Sequence, residues 1–108
     1  MDFKQYQEET QKTAIYPKDR EDEYLALGIA SEAGEYAGRA KKTIRDKQGK
    51  IDDNEKIERA KELGDCMWYI SQIATQLGFT LEEIAEMNIR KLRDRQNRDA
   101  IKGSGDNR

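Results

Sequence analysis

Between Glu21 and Arg45 the apolar and small residues fall at steps of three and four, so that Leu25, Gly28, Ile29 and Tyr36 line one side of an amphipathic helix. A second stretch repeats the period: Leu63, Cys66, Met67, Ile70, Ile73, Ala74 and Leu77 form an apolar stripe expected to face the core. The spacing predicts four helices: a short one over about 2–14, a long one over about 22–44, a third from Asp52 or Asn54 to Gly78, and a fourth running to about Asn97.

The boundaries carry their own signals. Pro17, the only proline, breaks the chain after the first helix. Glu21, Asp22 and Glu23 suit a helix N-terminus, and Lys41, Lys42 and Arg45 suit its C-terminus. The polar segment from Arg45 to Asp53 contains Gly49 and reads as a loop. Asp52 with Glu55, and Thr80 with Glu83, have the spacing of capping boxes, and Gly78 is a helix stop. No strand pattern occurs. The expectation is an all-α, four-helix-bundle type of subunit forming a single domain over residues 1–98, with 99–108 as a frayed tail around Gly103, Ser104 and Gly105.

Composition changes this picture in three ways. Charged residues make up 39% of the 108 and hydrophobic ones 35%, with a net charge of -2, so a stable core calls for subunits that share one. Cys66 stands alone and reads as a small core residue, and no stretch is apolar enough to be a membrane span or signal peptide, which predicts a soluble, cytoplasmic protein. Histidine is absent, which excludes histidine-based metal sites and triads; a metal here is held by oxygen ligands and is a hard ion.

The acids add candidate chemistry. Glu32 and Glu35 continue the apolar face of the second helix, and Glu62, Asp65 and Tyr69 form a line beside the stripe of the third. A buried, unpaired carboxylate costs several kcal/mol or more, so converging acids call for a cation. Mg²⁺ takes carboxylate oxygens and keeps positions open for water and phosphate. With 22 acids in the chain, chance pairs at this spacing are also expected as solvated faces, and Glu55 with Glu58, or Glu82 with Glu86, read that way. Small residues set the first two pairs apart: Ala30, Ser31, Ala33 and Gly34 flank one and Gly64 sits inside the other. Helical glycines at 28, 34, 38 and 64 each cost about 1 kcal/mol relative to alanine and call for a packing or functional reason.

Three segments in order carry a family resemblance. The run from Leu27 to Glu35 (LGIASEAGE), the run from Glu62 to Tyr69 (ELGDCMWY), with 26 residues between Glu35 and Glu62, and the run from Asn88 to Arg95 (NIRKLRDR) together resemble the MazG-like, all-α nucleoside triphosphate pyrophosphohydrolases. The likeness spans about Tyr24 to Arg95.

The resemblance implies cleavage of a nucleoside triphosphate between its α and β phosphates, in the service of nucleotide-pool control, and a purine or guanine deoxynucleotide as one substrate class. It implies Mg²⁺, or Mn²⁺ in its place, as two or more ions held by Glu32, Glu35, Glu62 and Asp65. Glu32 or Glu35 would accept the proton of the attacking water. Lys91 and Arg95, on one face with Asn88, would hold the β and γ phosphates, and Tyr69 would stack on the base with Asn88 bonding base or sugar. Some relatives carry a lysine or arginine where this chain has Glu58; Arg59 and Lys61 are the nearest substitutes. A homodimer or homotetramer with a shared active site is also implied. The rival class is a nucleic-acid-binding helical module using the basic run from Arg90 to Arg98; net acidity and the lack of aromatics in that run count against it.

Overall fold

A computed structural model describes residues 1–108. The chain is all-helical: α1 (Phe3–Gln11), a 3₁₀ turn (Lys18–Arg20), α2 (Glu21–Lys47), α3 (Asp53–Leu77) and α4 (Leu81–Asn97). The expected caps define most of the ends. Thr80 and Glu83 form a reciprocal box, with the Glu83 amide donating to Thr80 Oγ1 at 3.0 Å and the Thr80 amide donating to Glu83 Oε1 at 2.9 Å. Gly78 closes α3 in the left-handed region at φ 83°. α2 runs three residues further than expected and stops where Gln48 (φ 56°) and Gly49 (φ 76°) turn the chain. α1 is shorter than expected, ending at Gln11.

At 27 and 25 residues, α2 and α3 make a hairpin about 40 Å long. Its register is fixed by pairs along the seam: Gln76 with Asp22, Tyr69 with Gly28, and Glu55 with Arg39. The positions of α3 that meet α2 are therefore 55, 59, 62, 69 and 76, a helical repeat of mostly polar residues. This corrects the expected core face. Leu63, Met67, Ile70 and Leu77 of the apolar stripe are 36–61% exposed, because α3 turns its polar line toward α2 and its apolar line outward.

Glu55 is also corrected. Far from being a solvated acid, it is 5% exposed and clasped by two arginines: Arg39 donates through Nε (3.2 Å) and Nη2 (2.9 Å), and Arg59 through Nε (3.2 Å). Arg59 Nη2 also reaches Thr43 Oγ1 at 3.1 Å. The capping box at Asp52 is consequently only half formed. Asp52 accepts from the Glu55 amide at 2.8 Å, but the Glu55 carboxylate has turned inward to the arginines.

α1 crosses α3 through a buried polar seam. Thr10 Oγ1 shares a hydrogen bond with Ser71 Oγ at 2.9 Å and accepts one from Gln72 Nε2 at 2.8 Å. Gln7 fastens the α3–α4 corner: its Nε2 donates to Thr75 Oγ1 and the Phe79 carbonyl, and its Oε1 accepts from the Leu81 amide, each at 3.0 Å. α4 touches α1 and the end of α3 but not α2, so the four helices do not close around one core within a single chain. The radius of gyration is 16.8 Å, against roughly 13 Å for a compact chain of this length. Only Tyr16, Leu25 and Ala74 are buried apolar residues.

Of the helical glycines, Gly28 alone has its packing reason within the chain. A Cβ there would lie 2.0 Å from Tyr69 Cε1, whereas at Gly34, Gly38 and Gly64 it would meet nothing within 4 Å. Gly28→Ala is expected to destabilise the protein by about 1–3 kcal/mol of overpacking, set against about 1 kcal/mol of improved helix propensity. Gly34→Ala keeps only the propensity gain while that face stays uncovered. Denaturant melts of both variants measure the difference; equal effects would contradict the close α2–α3 approach at Gly28.

The arginine clasp holds the Glu55 carboxyl below its ordinary value of 4.5, chiefly through the hydrogen bonds from Arg39. A lowered folded-state value means stability that is fully present above pH 4.5 and lost as the pH falls below it. Glu55→Gln is therefore expected to melt several degrees below the parent at neutral pH, with the gap narrowing in acid. A gap that widened in acid would contradict the clasp.

Candidate metal centre

The register that pairs Gly28 with Tyr69 also brings α2 position 32 opposite α3 positions 62 and 65. Carboxylate oxygens of Glu32, Glu62 and Asp65 lie within 4.8 Å of one another. Glu32 and Glu62 are half-buried and Asp65 is exposed, so the trio sits at the mouth of the α2–α3 seam. None of the three has a lysine or arginine within salt-bridge distance. Burial raises the Glu32 carboxyl above its ordinary value, and the charges of Asp65, Glu62 and Glu35 raise it further. Burial likewise raises the Cys66 thiol, with the same three acids of the trio adding to the effect. The thiol therefore stays protonated beside the acids, and the carboxylates are the hard donors.

Glu35, one turn beyond Glu32, lies outside the trio and is exposed. It is close enough for its charge to be felt at Glu32. The donor set is all oxygen, negatively charged and without an internal counter-ion, which fits a hard divalent cation such as Mg²⁺ or Mn²⁺.

Aromatic side chains border the acids. Tyr69 is seated in the notch left by Gly28 and meets Trp68 edge-on with ring centroids 4.9 Å apart. Burial raises its hydroxyl, helped by the neighbouring Tyr24 hydroxyl and by Glu32 and Asp65. Tyr16 stacks on Tyr24 at 5.1 Å, with Lys18 Nζ 3.7 Å from the Tyr16 ring centre. Trp68 Nε1 donates to Thr13 Oγ1 at 2.8 Å. From α1, Tyr6 approaches the same corner: burial and then the Asp65 charge raise its hydroxyl. Tyr6 and Tyr16 were missed in the sequence because they precede the matching segments; only the fold carries Tyr6 toward Asp65 and Tyr16 to the rings of Tyr24 and Trp68.

The basic candidates lie elsewhere. Asn88 is exposed, and Lys91 and Arg95 sit on the last turns of α4, a helix that does not touch α2. Lys91 Nζ is 2.9 Å from Asp106 Oδ1, and Arg95 is buried against the carbonyls of Gly105 and Asp106. Arg59 is committed to Glu55 and Lys61 pairs with Glu58 at 3.1 Å. One chain thus assembles three acids and Tyr69, with Glu35 beside them, and keeps Asn88, Lys91 and Arg95 apart from them.

No helix is long and apolar enough to cross a membrane. No solved structure matches the chain. A curated relative, the Gene 37 protein of Mycobacterium phage L5, is 41% identical over 109 residues, covering 95% of this chain and 96% of that protein. The MazG nucleotide pyrophosphohydrolase domain matches residues 20–99, a span that holds α2, α3, α4 and the acids Glu32, Glu35, Glu62 and Asp65. The chain belongs to the MazG nucleotide pyrophosphohydrolase family.

Proposed function

We propose that this chain hydrolyses a nucleoside or deoxynucleoside triphosphate between the α and β phosphates, releasing the monophosphate and pyrophosphate. The observation that carries the reading is the trio Glu32, Glu62 and Asp65, drawn together within 4.8 Å with no cation of the protein beside it. Glu55 shows that this chain compensates a buried acid when the role is structural, since it sets two arginines on it. The trio would hold Mg²⁺ or Mn²⁺, which when bound neutralises triphosphate oxygens and makes a nearby water more acidic.

The chain's own residues then do the rest. Glu35, exposed and one turn from Glu32, accepts the proton of the attacking water; Glu32, whose carboxyl is already raised, is the second acceptor. The water oxygen bonds to the α phosphorus as the bond to the α–β bridging oxygen breaks, and pyrophosphate leaves with the electron pair. Lys91 and Arg95 hold the β and γ oxygens and stabilise that leaving charge. Tyr69 has its ring committed to Gly28 and Trp68, so it offers its hydroxyl edge to the nucleoside in preference to a free face. Asn88 bonds the sugar or base.

A second copy of the chain completes the site in this reading. Leu63, Ile70 and Leu77 of α3, and Met87, Ile89 and Leu92 of α4, are 39–61% exposed, and burying them together is a strong drive to associate. A dimer or tetramer brings the α4 cations of one copy to the acids of another. The role is nucleotide-pool control in a bacterial or phage-infected cytoplasm, with purine deoxynucleotides among the substrates.

Product analysis with Mg²⁺ across canonical and modified triphosphates is expected to give the monophosphate and pyrophosphate in equal amounts; orthophosphate as the first product would reject α–β cleavage. Glu62→Gln and Asp65→Asn are expected to lower turnover by roughly a hundredfold or more. Magnesium with nucleotide should raise the melting temperature of the wild type but not of these variants. In metal-free buffer Glu32→Gln is expected to melt higher than the parent, because a carboxyl raised on folding destabilises the protein once ionised. A metal-independent melt in the wild type would remove the basis for the site.

A further inference from the structure

Residues 99–108 do not trail away from α4. The backbone reverses at Asp99 (φ 54°), Gly103 (φ 112°) and Gly105 (φ 84°), three positions in the left-handed region, and the chain doubles back over the end of its own helix. Two arginines hold the turn in place. Arg108 Nη1 and Nη2 donate to the carbonyls of Gly105 (2.7 Å) and Ile101 (2.9 Å), and Arg98 Nη2 donates to the Arg108 carbonyl at 2.7 Å. The hook delivers an anion to a prepared pair of cations. Asp106 Oδ1 lies 2.9 Å from Lys91 Nζ and 3.4 Å from Arg95 Nη2, while Arg95 also donates to the carbonyl oxygens of Asp106 (2.5 Å) and Gly105 (3.4 Å). Arg95 is left 4% exposed, whereas the Asp106 side chain is 81% exposed.

We infer that the tail is a built-in competitor for the phosphate-binding cations: Asp106 occupies Lys91 and Arg95 in the resting chain, and the triphosphate must displace it to bind. The inference rests on the reading above that Lys91 and Arg95 hold substrate phosphates. Geometry supports an exchangeable latch in preference to a fixed strut. The carboxylate sits in solvent, where ion pairs are weak and easily screened, and it offers the cations one negative charge where a triphosphate offers several. The pairing is complementary in the resting state: Lys91 first and Arg95 second hold the Asp106 carboxyl below its ordinary value of 3.8, so it is ionised throughout the neutral range. The MazG match ends at residue 99, so the hook lies outside the matched span. A latch of this kind raises the substrate concentration needed for occupancy without altering the chemical step, because a site that is open only part of the time binds more weakly by that fraction.

The test uses the full chain and inorganic tripolyphosphate without metal, titrated by calorimetry into wild type, Asp106→Asn, Asp106→Glu and Lys91→Ala at low ionic strength. Asp106→Asn is expected to bind about threefold to tenfold more tightly than wild type, with the gain fading as salt is added, since the latch itself is screened. Asp106→Glu keeps wild-type affinity, and Lys91→Ala binds more weakly. In steady-state assays Asp106→Asn should lower KM and leave kcat in place. If Lys91→Ala weakens binding while Asp106→Asn binds no better than wild type, the latch is overturned and the phosphate reading stands. If Lys91→Ala leaves tripolyphosphate binding unchanged, the cations are not phosphate ligands and both ideas fall.

Discussion

Everything about this chain follows from where it leaves negative charge uncompensated. The α2–α3 seam holds two groups of acids a few turns apart and treats them in opposite ways. At one end Glu55 is buried and grasped by Arg39 and Arg59, with Thr43 as a further partner of Arg59. At the other, Glu32, Glu62 and Asp65 crowd within 4.8 Å and form no ion pair, with Arg39 acting on Glu62 only at a distance. Mutual repulsion at that distance works against closing the hairpin, so the clasp, the Tyr69–Gly28 contact and the Gln76–Asp22 hydrogen bond must hold α2 and α3 together on its behalf. The seam is held together around the acids while the acids themselves keep no ion-pair partner.

The same arrangement explains the exposed apolar face. A helix can present its charged line or its apolar line to a given neighbour, but not both. α3 gives the line of Glu55, Arg59, Glu62 and Tyr69 to α2, and so Leu63, Met67, Ile70 and Leu77 point outward. α1 covers only part of the remaining surface, through Thr10, Ser71, Gln72 and Ala74, and it does so largely with hydrogen bonds. With three buried apolar residues, one chain does not have the interior that a domain of this length needs. The acidic seam and the exposed apolar surface are thus two faces of one helix, and the choice of face for the acids dictates the other.

This division marks what was legible in the sequence and what was not. Helix boundaries were, because they rest on local chemistry: Thr80 with Glu83, Gly78, Pro17 and Asp52 act within one turn of themselves. The meeting of positions 32, 62 and 65 was also legible, since acids on apolar-spaced positions violate the ordinary pattern and violations concentrate at sites. The assignment of α3's core face was not. Hydrophobicity marks a stripe that favours burial, not which neighbour, if any, the chain turns toward it. Glu55 was misjudged for a related reason: its counter-ions sit at Arg39, on another helix, and at Arg59, so that spacing relative to Glu58 carried no information about them. Tyr6 reaches the neighbourhood of Asp65, and Tyr16 the ring of Trp68, only through the crossing of α1 and the turn at Pro17, which no local pattern encodes.

The separation of acids from bases is the last consequence. If Lys91 and Arg95 stood beside Glu32, Glu62 and Asp65 in one chain, they would neutralise the trio as Arg39 and Arg59 neutralise Glu55, and the site would become another structural ion pair. Placing the cations on α4, which leaves the hairpin at Thr80 and makes no contact with α2, prevents that collapse within one chain. The cost is a set of free cations at a helix end, and the chain satisfies them with its own Asp106 and the carbonyls of Gly105 and Asp106. Opposite charges are therefore kept apart by the architecture of one chain: the three acids of the trio stand without an ion-pair partner, while the cations of α4 are met by the tail.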